Sequence, residues 1–182
     1  RNVPDLQVDS KHMMIISPDE GAMSRAVYFA NVIGVDMGMF YKRRDYTVIE
    51  NGRNPIVAHE FLGADVEDKD VIVIDDMISS GDSCFDVAKE LKKRKAGRIF
   101  ICATFGLFTN GLKKFDEAYE SGLIYRVITT NLIYQTDELL SKPSKSETTK
   151  NVHNKYFKAI RSAIYELAYE DISAEEIITG LI

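Results

Sequence analysis

Residues 71–83 read Val71-Ile72-Val73-Ile74-Asp75-Asp76-Met77-Ile78-Ser79-Ser80-Gly81-Asp82-Ser83. The first four residues are apolar and β-branched without alternation, which is typical of a strand buried on both faces in a parallel sheet. Two carboxylates follow, then a short loop of serine, glycine and aspartate, and then a helical pattern of apolar residues. Open α/β sheets bind ligands at such a point, where a strand ends and a helix begins.

The two parts of this stretch suit two parts of one ligand. Unpaired N–H groups at a helix start, together with the helix dipole, attract an anion such as phosphate. The carboxylates of Asp75 and Asp76 suit vicinal hydroxyls or a hard cation. Phosphate and neighbouring hydroxyls together describe a ribose phosphate.

Composition narrows the class of protein. The chain has 182 residues, 45% of them hydrophobic, which is enough for one good core. A formal charge of −5 argues against a general nucleic-acid binder. No apolar run approaches the ~20 residues of a membrane span, and no signal-peptide pattern opens the chain. Cys84 and Cys102 lack metal or redox spacing. We therefore expect a cytoplasmic protein with no nucleic-acid or membrane partner.

Strand patterns alternate with helix patterns along the chain. Further strands are predicted near residues 12–16, 35–41, 99–104 and 124–129, with helices between them. This alternation predicts an α/β fold, a mostly parallel twisted sheet with helices on both faces. Segments 47–49 and 56–61 flank Asn51-Gly52, which predicts two short strands or a mobile flap. Residues 1–141 are expected to form the domain, 142–154 a flexible polar loop, and 155–182 C-terminal helices that pack on it.

Three motifs resemble those of ribose-phosphate pyrophosphokinases, synthetases with a type I phosphoribosyltransferase-like fold. Asp75-Asp76-Met77-Ile78 with Gly81 resembles their ribose-phosphate loop. Ser17-Pro18-Asp19, followed by Gly21 and Arg25, resembles their metal and substrate segment. Lys42-Arg43-Arg44 resembles the base of their flexible catalytic loop. The resemblance runs from about Met14 to Ser141 and covers only the C-terminal domain of a synthetase, so the chain is expected to be an excised domain.

The resemblance implies a role for each motif. Ribose 5-phosphate would be bound by Arg44, Asp75, Asp76, Ser79, Ser80, Gly81, Asp82 and Ser83. Lys42 and Arg44 would stabilise the diphosphoryl group that passes from MgATP to the ribose 1-hydroxyl, and Asp19 would hold Mg²⁺. Such transfer mainly demands cations where charge accumulates. A homo-oligomer, or assembly with synthetase subunits, is implied as well.

Strand geometry refines two of these roles. Side chains alternate along a strand, so Asp75 and Asp76 should point to opposite sides. By resemblance, Asp75 is favoured for the hydroxyls, with Asp76 supporting the site or a cation. Gly81 would let the backbone come close to phosphate.

Two of the motifs also have simple structural explanations. Ser17 fits a helix N-cap, with Pro18 as the first helical residue and Glu20 as the capping-box partner. This capping is compatible with a metal-binding role for Asp19. Lys42-Arg43-Arg44 also fits a solvent-exposed strand end.

The loop departs from the synthetase pattern Asp-Asp-Met-Ile-Asp-Thr-Gly-Gly-Thr. Ser80 and Ser83 preserve hydroxyls, whereas Ser79 removes a carboxylate and Asp82 replaces the second glycine. Asp82 thus puts a negative charge where phosphate is expected, and two unit charges ~5 Å apart repel by roughly 3 kcal/mol at an effective dielectric near 20. Phe105 stands where the family usually has a histidine.

Three functions remain open at this point. The first is the ribose-phosphate diphosphokinase domain itself. The second is a non-catalytic regulatory subunit of the synthetase type, which Ser79 and Asp82 both permit. The third is a salvage phosphoribosyltransferase, which is disfavoured because no base-binding hood segment is evident.

Overall fold

The fold is seen in a computed structural model that describes residue 3 and residues 5–44, 56–130 and 132–134. The strands of this part are β1 (Met13–Ser17), β2 (Asp36–Arg44), β3 (Ile56–Leu62), β4 (Asp70–Ile78), β5 (Ile99–Gly106) and β6 (Arg126–Thr129). The helices are α1 (Met23–Ile33), α2 (Asp82–Lys93) and α3 (Lys113–Glu120).

The strands form one sheet in the order β3-β2-β1-β4-β5-β6. Every neighbouring pair is parallel except β2 and β3, which are antiparallel. The predicted fold class is therefore confirmed. The chain proceeds from β1 outward to β2 and β3, and from β4 outward to β5 and β6. The strand order consequently reverses between β1 and β4, which is the topological switch point of the sheet.

A hydrophobic core lies on each face of this sheet. Ile72 and Ile74 pack with α1, whereas Val71 and Val73 pack with α2. This two-sided burial explains the unbroken apolar run in the sequence, because neither face of β4 meets water. α3 contributes Ala118 to the same core as α2.

The start of α1 differs from the prediction. Ser17 is fully buried as the last residue of β1, where it pairs with Met39 of β2. The N-cap of α1 is Ala22, which makes no side-chain cap hydrogen bond. The predicted capping by Ser17 and Glu20 is therefore wrong, because sheet pairing holds Ser17 in the strand and a turn separates it from the helix.

β2 corresponds to the strand predicted near residues 35–41, and it pairs antiparallel with β3, which corresponds to the predicted segment 56–61. Lys42 pairs with His59, and the register shifts between Arg43 and Arg44. Residues 45–55, which include the predicted strand 47–49, lie outside the described residues, as do the predicted loop 142–154 and the predicted helices of 155–182.

The cysteines pack on opposite faces of the sheet. Cys84 lies in the α2 core, and Cys102 packs against the α1 core. Burial raises the pKa of the Cys102 thiol to about 12, so the thiol stays protonated at neutral pH. Among the helices of the described residues, none is both long and apolar enough to cross a bilayer.

Arg98 ties the N-terminal segment to the edge of the sheet opposite the carboxyl ends of the parallel strands. Its Nε and Nη2 donate to the two oxygens of Asp70 at 3.0 and 2.6 Å, and Nη1 donates to Asp5 at 2.9 Å. The guanidinium also lies 5.3 Å from the ring centroid of Tyr125. The side chain of Asp70 is only 15% exposed, so it depends on this partner.

Replacing Arg98 with methionine should lower the free energy of unfolding by about 2 kcal/mol, because Asp70 would be left partly buried without its bidentate donor. Lys95→Met is the matched control. Its ion pair with Glu67 is equally short, at 2.6 Å, but Lys95 is 71% exposed. The control should leave the free energy of unfolding nearly unchanged, because an exposed ion pair contributes little. Urea denaturation measures both, and equal losses would contradict the assignment.

Candidate functional site

A crevice lies at the carboxyl end of β1, where the strand stops short of its neighbours. β1 last pairs with β4 at Ile16–Val73 and with β2 at Ser17–Met39. β4 continues from Val73 to Ile78 and β2 from Met39 to Arg44, each for roughly 16 Å at ordinary strand rise. The crevice therefore has the turn after β1 as its floor, and it coincides with the switch point of the sheet.

The floor of the crevice is the turn that carries Asp19. The Ser17 hydroxyl donates to the Asp19 carbonyl at 2.6 Å. One Asp19 carboxylate oxygen, Oδ1, accepts the Ala22 N–H at 3.2 Å. These two bonds hold the carboxylate beside the start of α1.

Asp75 and Asp76 lie on the β4 side of the crevice. Each carboxylate accepts the N–H of the next residue at 2.8 Å, from Asp76 to Asp75 and from Met77 to Asp76. Asp75 is half-buried and Asp76 is exposed. The two carboxyl groups are close enough to interact with each other.

The pKa of Asp75 is raised to about 6. Burial is the largest cause, and the nearby Asp76 and Asp19 carboxylates add to it, while the Asp76 N–H opposes it. Asp19 and Asp75, far apart in sequence, thus lie close enough to repel each other. A cation at this point would relieve the repulsion.

Gly81 sets the shape of the loop that follows β4. It is buried and has φ +87°, in the left-handed region. A Cβ on Gly81 would lie 2.4 Å from Cζ of Phe115 in α3 and 3.1 Å from Cε2 of Phe85 in α2. The glycine is therefore demanded by backbone conformation and by aromatic packing beneath the loop, a reason that the local sequence does not reveal.

The start of α2 lies directly after Gly81, and the Asp82 N–H at this start donates to the Ser80 hydroxyl at 3.4 Å. Its N-cap is Gly81, and no side-chain cap hydrogen bond is formed there. Such a helix start attracts anions. The hydroxyls of Ser80 and Ser83 border it, and Ser79 lies 3.5 Å from the Thr109 hydroxyl.

The Asp82 carboxylate has one hydrogen-bond partner in the loop and another in α3. Lys114 Nζ donates to its Oδ1 at 3.0 Å, and the Ser80 hydroxyl donates to its Oδ2 at 3.0 Å. Lys114 and Ser80 lower the pKa of Asp82, so the carboxylate is charged at neutral pH. The negative charge of Asp82, which was expected to repel phosphate, is therefore paired with Lys114 of α3.

Lys42 and Arg44 are among the last three residues of strand β2, which lies on the opposite side of the crevice from β4. Their backbones pair with His59 and Ile56 of β3. The structure describes no side-chain positions for Lys42 and Arg44, so their predicted roles remain predictions.

The donor set is suited to Mg²⁺ only with help from a ligand. Within the described residues, no cluster of three or more His, Cys, Asp or Glu side chains is able to hold a metal ion. Mg²⁺ is commonly held by one or two carboxylates together with substrate phosphates and water. Asp19 and Asp75 would supply such a pair.

A family model for the phosphoribosyl transferase domain matches residues 5–134. The chain belongs to the phosphoribosyl transferase domain family. The match spans every strand and helix described above, including the crevice and the loop of residues 79–83.

Curated proteins also resemble the chain in sequence. A ribose-phosphate pyrophosphokinase of Mycoplasma genitalium is 33% identical over 126 residues, which cover 69% of this chain and 36% of that protein. The one from Ureaplasma parvum serovar 3 is 32% identical with the same two coverages. The resemblance inferred from the motifs is thereby confirmed. The chain spans little more than a third of the length of these relatives.

A solved structure supports the fold. The phosphoribosylpyrophosphate synthetase of Mycobacterium smegmatis superimposes with a TM-score of 0.55 and 23% identity, covering 85% of this chain and 45% of that one. At this identity the likeness shows the phosphoribosyltransferase-like fold alone.

The structure brings together most of the residues proposed from the sequence. Asp19, Asp75, Asp76 and residues 79–83 all lie at the switch point. Lys114 is the residue that sequence reasoning missed. Its signal was positional, because a helix that follows β5 in a parallel sheet begins at the same edge as α2.

Proposed function

We propose that this chain is the ribose 5-phosphate-binding domain of a ribose-phosphate diphosphokinase. The single observation that carries the proposal is the juxtaposition at the switch point of a carboxylate pair, Asp75 and Asp76, and an uncapped helix start at Gly81. Carboxylates accept hydrogen bonds from sugar hydroxyls, and the helix start accepts a phosphate group.

Asp75 is the proposed acceptor for the ribose hydroxyls. A carboxylate with a raised pKa holds its negative charge poorly, so donors from a ligand, or a cation, should stabilise the charged form. Asp76 adds a second acceptor at the rim. Ser80 and Ser83 are proposed to donate hydroxyl hydrogen bonds to the phosphate beside the backbone of residues 81–83.

Asp19 and Asp75 are the proposed protein ligands of Mg²⁺. When bound, the ion would offset the negative charge of these carboxylates and of the phosphate oxygens. The residues themselves fix the position of that charge, because Asp19 is tethered through Ala22 and Asp75 through Asp76.

The proposed reaction passes a diphosphoryl group from ATP to the sugar. The oxygen of the ribose 1-hydroxyl forms a bond to the β-phosphorus, the bond from that phosphorus to the α-bridging oxygen breaks, AMP leaves, and the hydroxyl proton goes to solvent. Lys42 and Arg44 are the proposed cations that stabilise the charge that accumulates on the transferred group. Residues 1–141 are the proposed domain, acting in a homo-oligomer or with synthetase subunits.

A regulatory subunit is the second candidate, favoured by one observation. Asp82 holds the Ser80 hydroxyl and the Lys114 ammonium, two donors that would otherwise be free for a phosphate. A subunit in which Asp82 takes up these two donors would bind sugar phosphate weakly. It would assemble with an active partner.

Calorimetric titration of the chain with ribose 5-phosphate and Mg²⁺ tests the proposal. We expect binding that weakens at least about tenfold for ribose, which lacks the phosphate, and about fivefold for Ser80→Ala. Removing Mg²⁺ with a chelator should also weaken the binding of ribose 5-phosphate by the natural chain.

The Asp82→Gly variant separates the two candidates. Binding by the natural chain supports the diphosphokinase domain. Binding by Asp82→Gly alone supports the regulatory subunit with an occupied loop. Absence of binding by both proteins overturns the assignment of this loop to ribose 5-phosphate.

A further inference from the structure

Lys114 reaches the loop from a helix that the loop motif does not include. It lies on the first turn of α3, and its Nζ is 3.0 Å from Asp82 Oδ1 at the start of α2. The neighbouring Lys113 instead lies 3.9 Å from Glu117 on its own helix and is 88% exposed. Of these two adjacent lysines, Lys114 is therefore the one that contacts the loop of residues 79–83.

The partners of Asp82 are those that a phosphate group takes. A hydroxyl donates to one oxygen, an ammonium donates to the other, and the start of a helix lies beneath them. Phosphate oxygens are bound by the same three kinds of group in proteins. The charge of Lys89, about two turns further along α2, also stabilises the Asp82 carboxylate.

A loop with Asp82 and no nearby cation would repel a phosphate dianion. With Lys114 in place, the pair is neutral and both of its side chains are 58% exposed. An exposed ion pair of this kind is weak and exchanges its partners readily. An arriving phosphate, with more charge than a carboxylate, is the stronger partner for the lysine.

We propose that Lys114 is a phosphate-binding residue of this site and that Asp82 holds its ammonium group at the loop until a phosphate-bearing ligand takes it over. The inference rests on the proposed function, since it concerns the same loop. It adds a residue from α3 to the site. Asp82 and the phosphate of the ligand would then compete for the Lys114 ammonium group.

A variant series titrated with ribose 5-phosphate and Mg²⁺ tests this inference. Lys114→Met should weaken binding about tenfold, both in the natural chain and in an Asp82→Asn background. Asp82→Asn alone should tighten binding about fivefold, because Ser80 and Lys114 are released. Lys113→Met is the matched control and should leave the dissociation constant unchanged. Titration with ribose should give the same result for Lys114→Met as for the natural chain.

The outcomes distinguish this inference from the proposed function. If Lys114→Met weakens binding only while Asp82 is present, Lys114 merely neutralises Asp82 and the inference is overturned. If Lys114→Met binds like the natural chain in both backgrounds, the inference is overturned while the proposed function stands. If neither the natural chain nor Asp82→Asn binds ribose 5-phosphate, both fail.

Discussion

The Gly81→Ala variant is expected to lose about 2 to 4 kcal/mol of unfolding free energy and to lose ribose 5-phosphate binding. Gly81 has φ +87°, where an alanine is strained. The added methyl would also lie 2.4 Å from Cζ of Phe115, so α3 or the loop must move. Because Lys114 adjoins Phe115, that movement would also displace the proposed phosphate ligand.

Gly111→Ala separates the two causes. Gly111 has φ +73°, but no atom lies within 4 Å of the position its Cβ would take. The control should therefore lose only about 1 kcal/mol, the cost of the backbone conformation. Urea denaturation of both variants gives the comparison. Equal losses would show that Phe115 does not restrict the loop.

The Asp75→Asn variant is expected to bind ribose 5-phosphate at least about thirtyfold more weakly, because charge-assisted hydrogen bonds to the sugar hydroxyls would be lost. The same change should stabilise the ligand-free protein above pH 6. Binding and stability would thus change in opposite directions, as at a site where charges are held together for function.

The stability effect follows from the pKa of Asp75, which is about 6 in the folded protein against an ordinary value of 3.8. Between pH 4 and pH 6 the folded state holds more of this proton than the unfolded state, so the free energy of unfolding falls as pH rises through that window. Since Asp75 is only half-buried, we expect a fall of about 1 to 2 kcal/mol. Asp75→Asn should remove it.

Thermal unfolding from pH 4 to pH 8 measures this difference. Asp86→Asn is the control, because Asp86 is an exposed residue of α2 that lies 3.9 Å from Lys89. This control shows whether the removal of any exposed carboxylate has the same effect as Asp75→Asn. If Asp75→Asn followed the natural chain at every pH, the repulsion among Asp19, Asp75 and Asp76 would be refuted.

The location of the candidate site was predictable where its residues are contiguous in the chain. Asp75, Asp76 and the loop of residues 79–83 form one strand–loop–helix segment, so one local pattern placed them together. Asp19 is distant in the chain and was proposed from the family resemblance, and the parallel pairing of β1 with β4 is what places it at the same edge of the sheet. The start of α1 was mispredicted because Ser17 satisfies the N-cap pattern locally, while pairing with Met39 holds it in the sheet.

The sequence by itself determined the parallel sheet, because the apolar runs of β1 and β4 are incompatible with solvent on either face. It also determined the position of the site on that sheet. Only the tertiary structure decided the charge balance of the candidate site. Lys114 contacts Asp82 although 32 residues separate them in the chain. Asp19, in the turn after β1, raises the pKa of Asp75 in the neighbouring strand β4. These contacts depend on how α3 and β1 pack against β4 and α2, and electrostatic interactions act through that spacing, which no local pattern encodes.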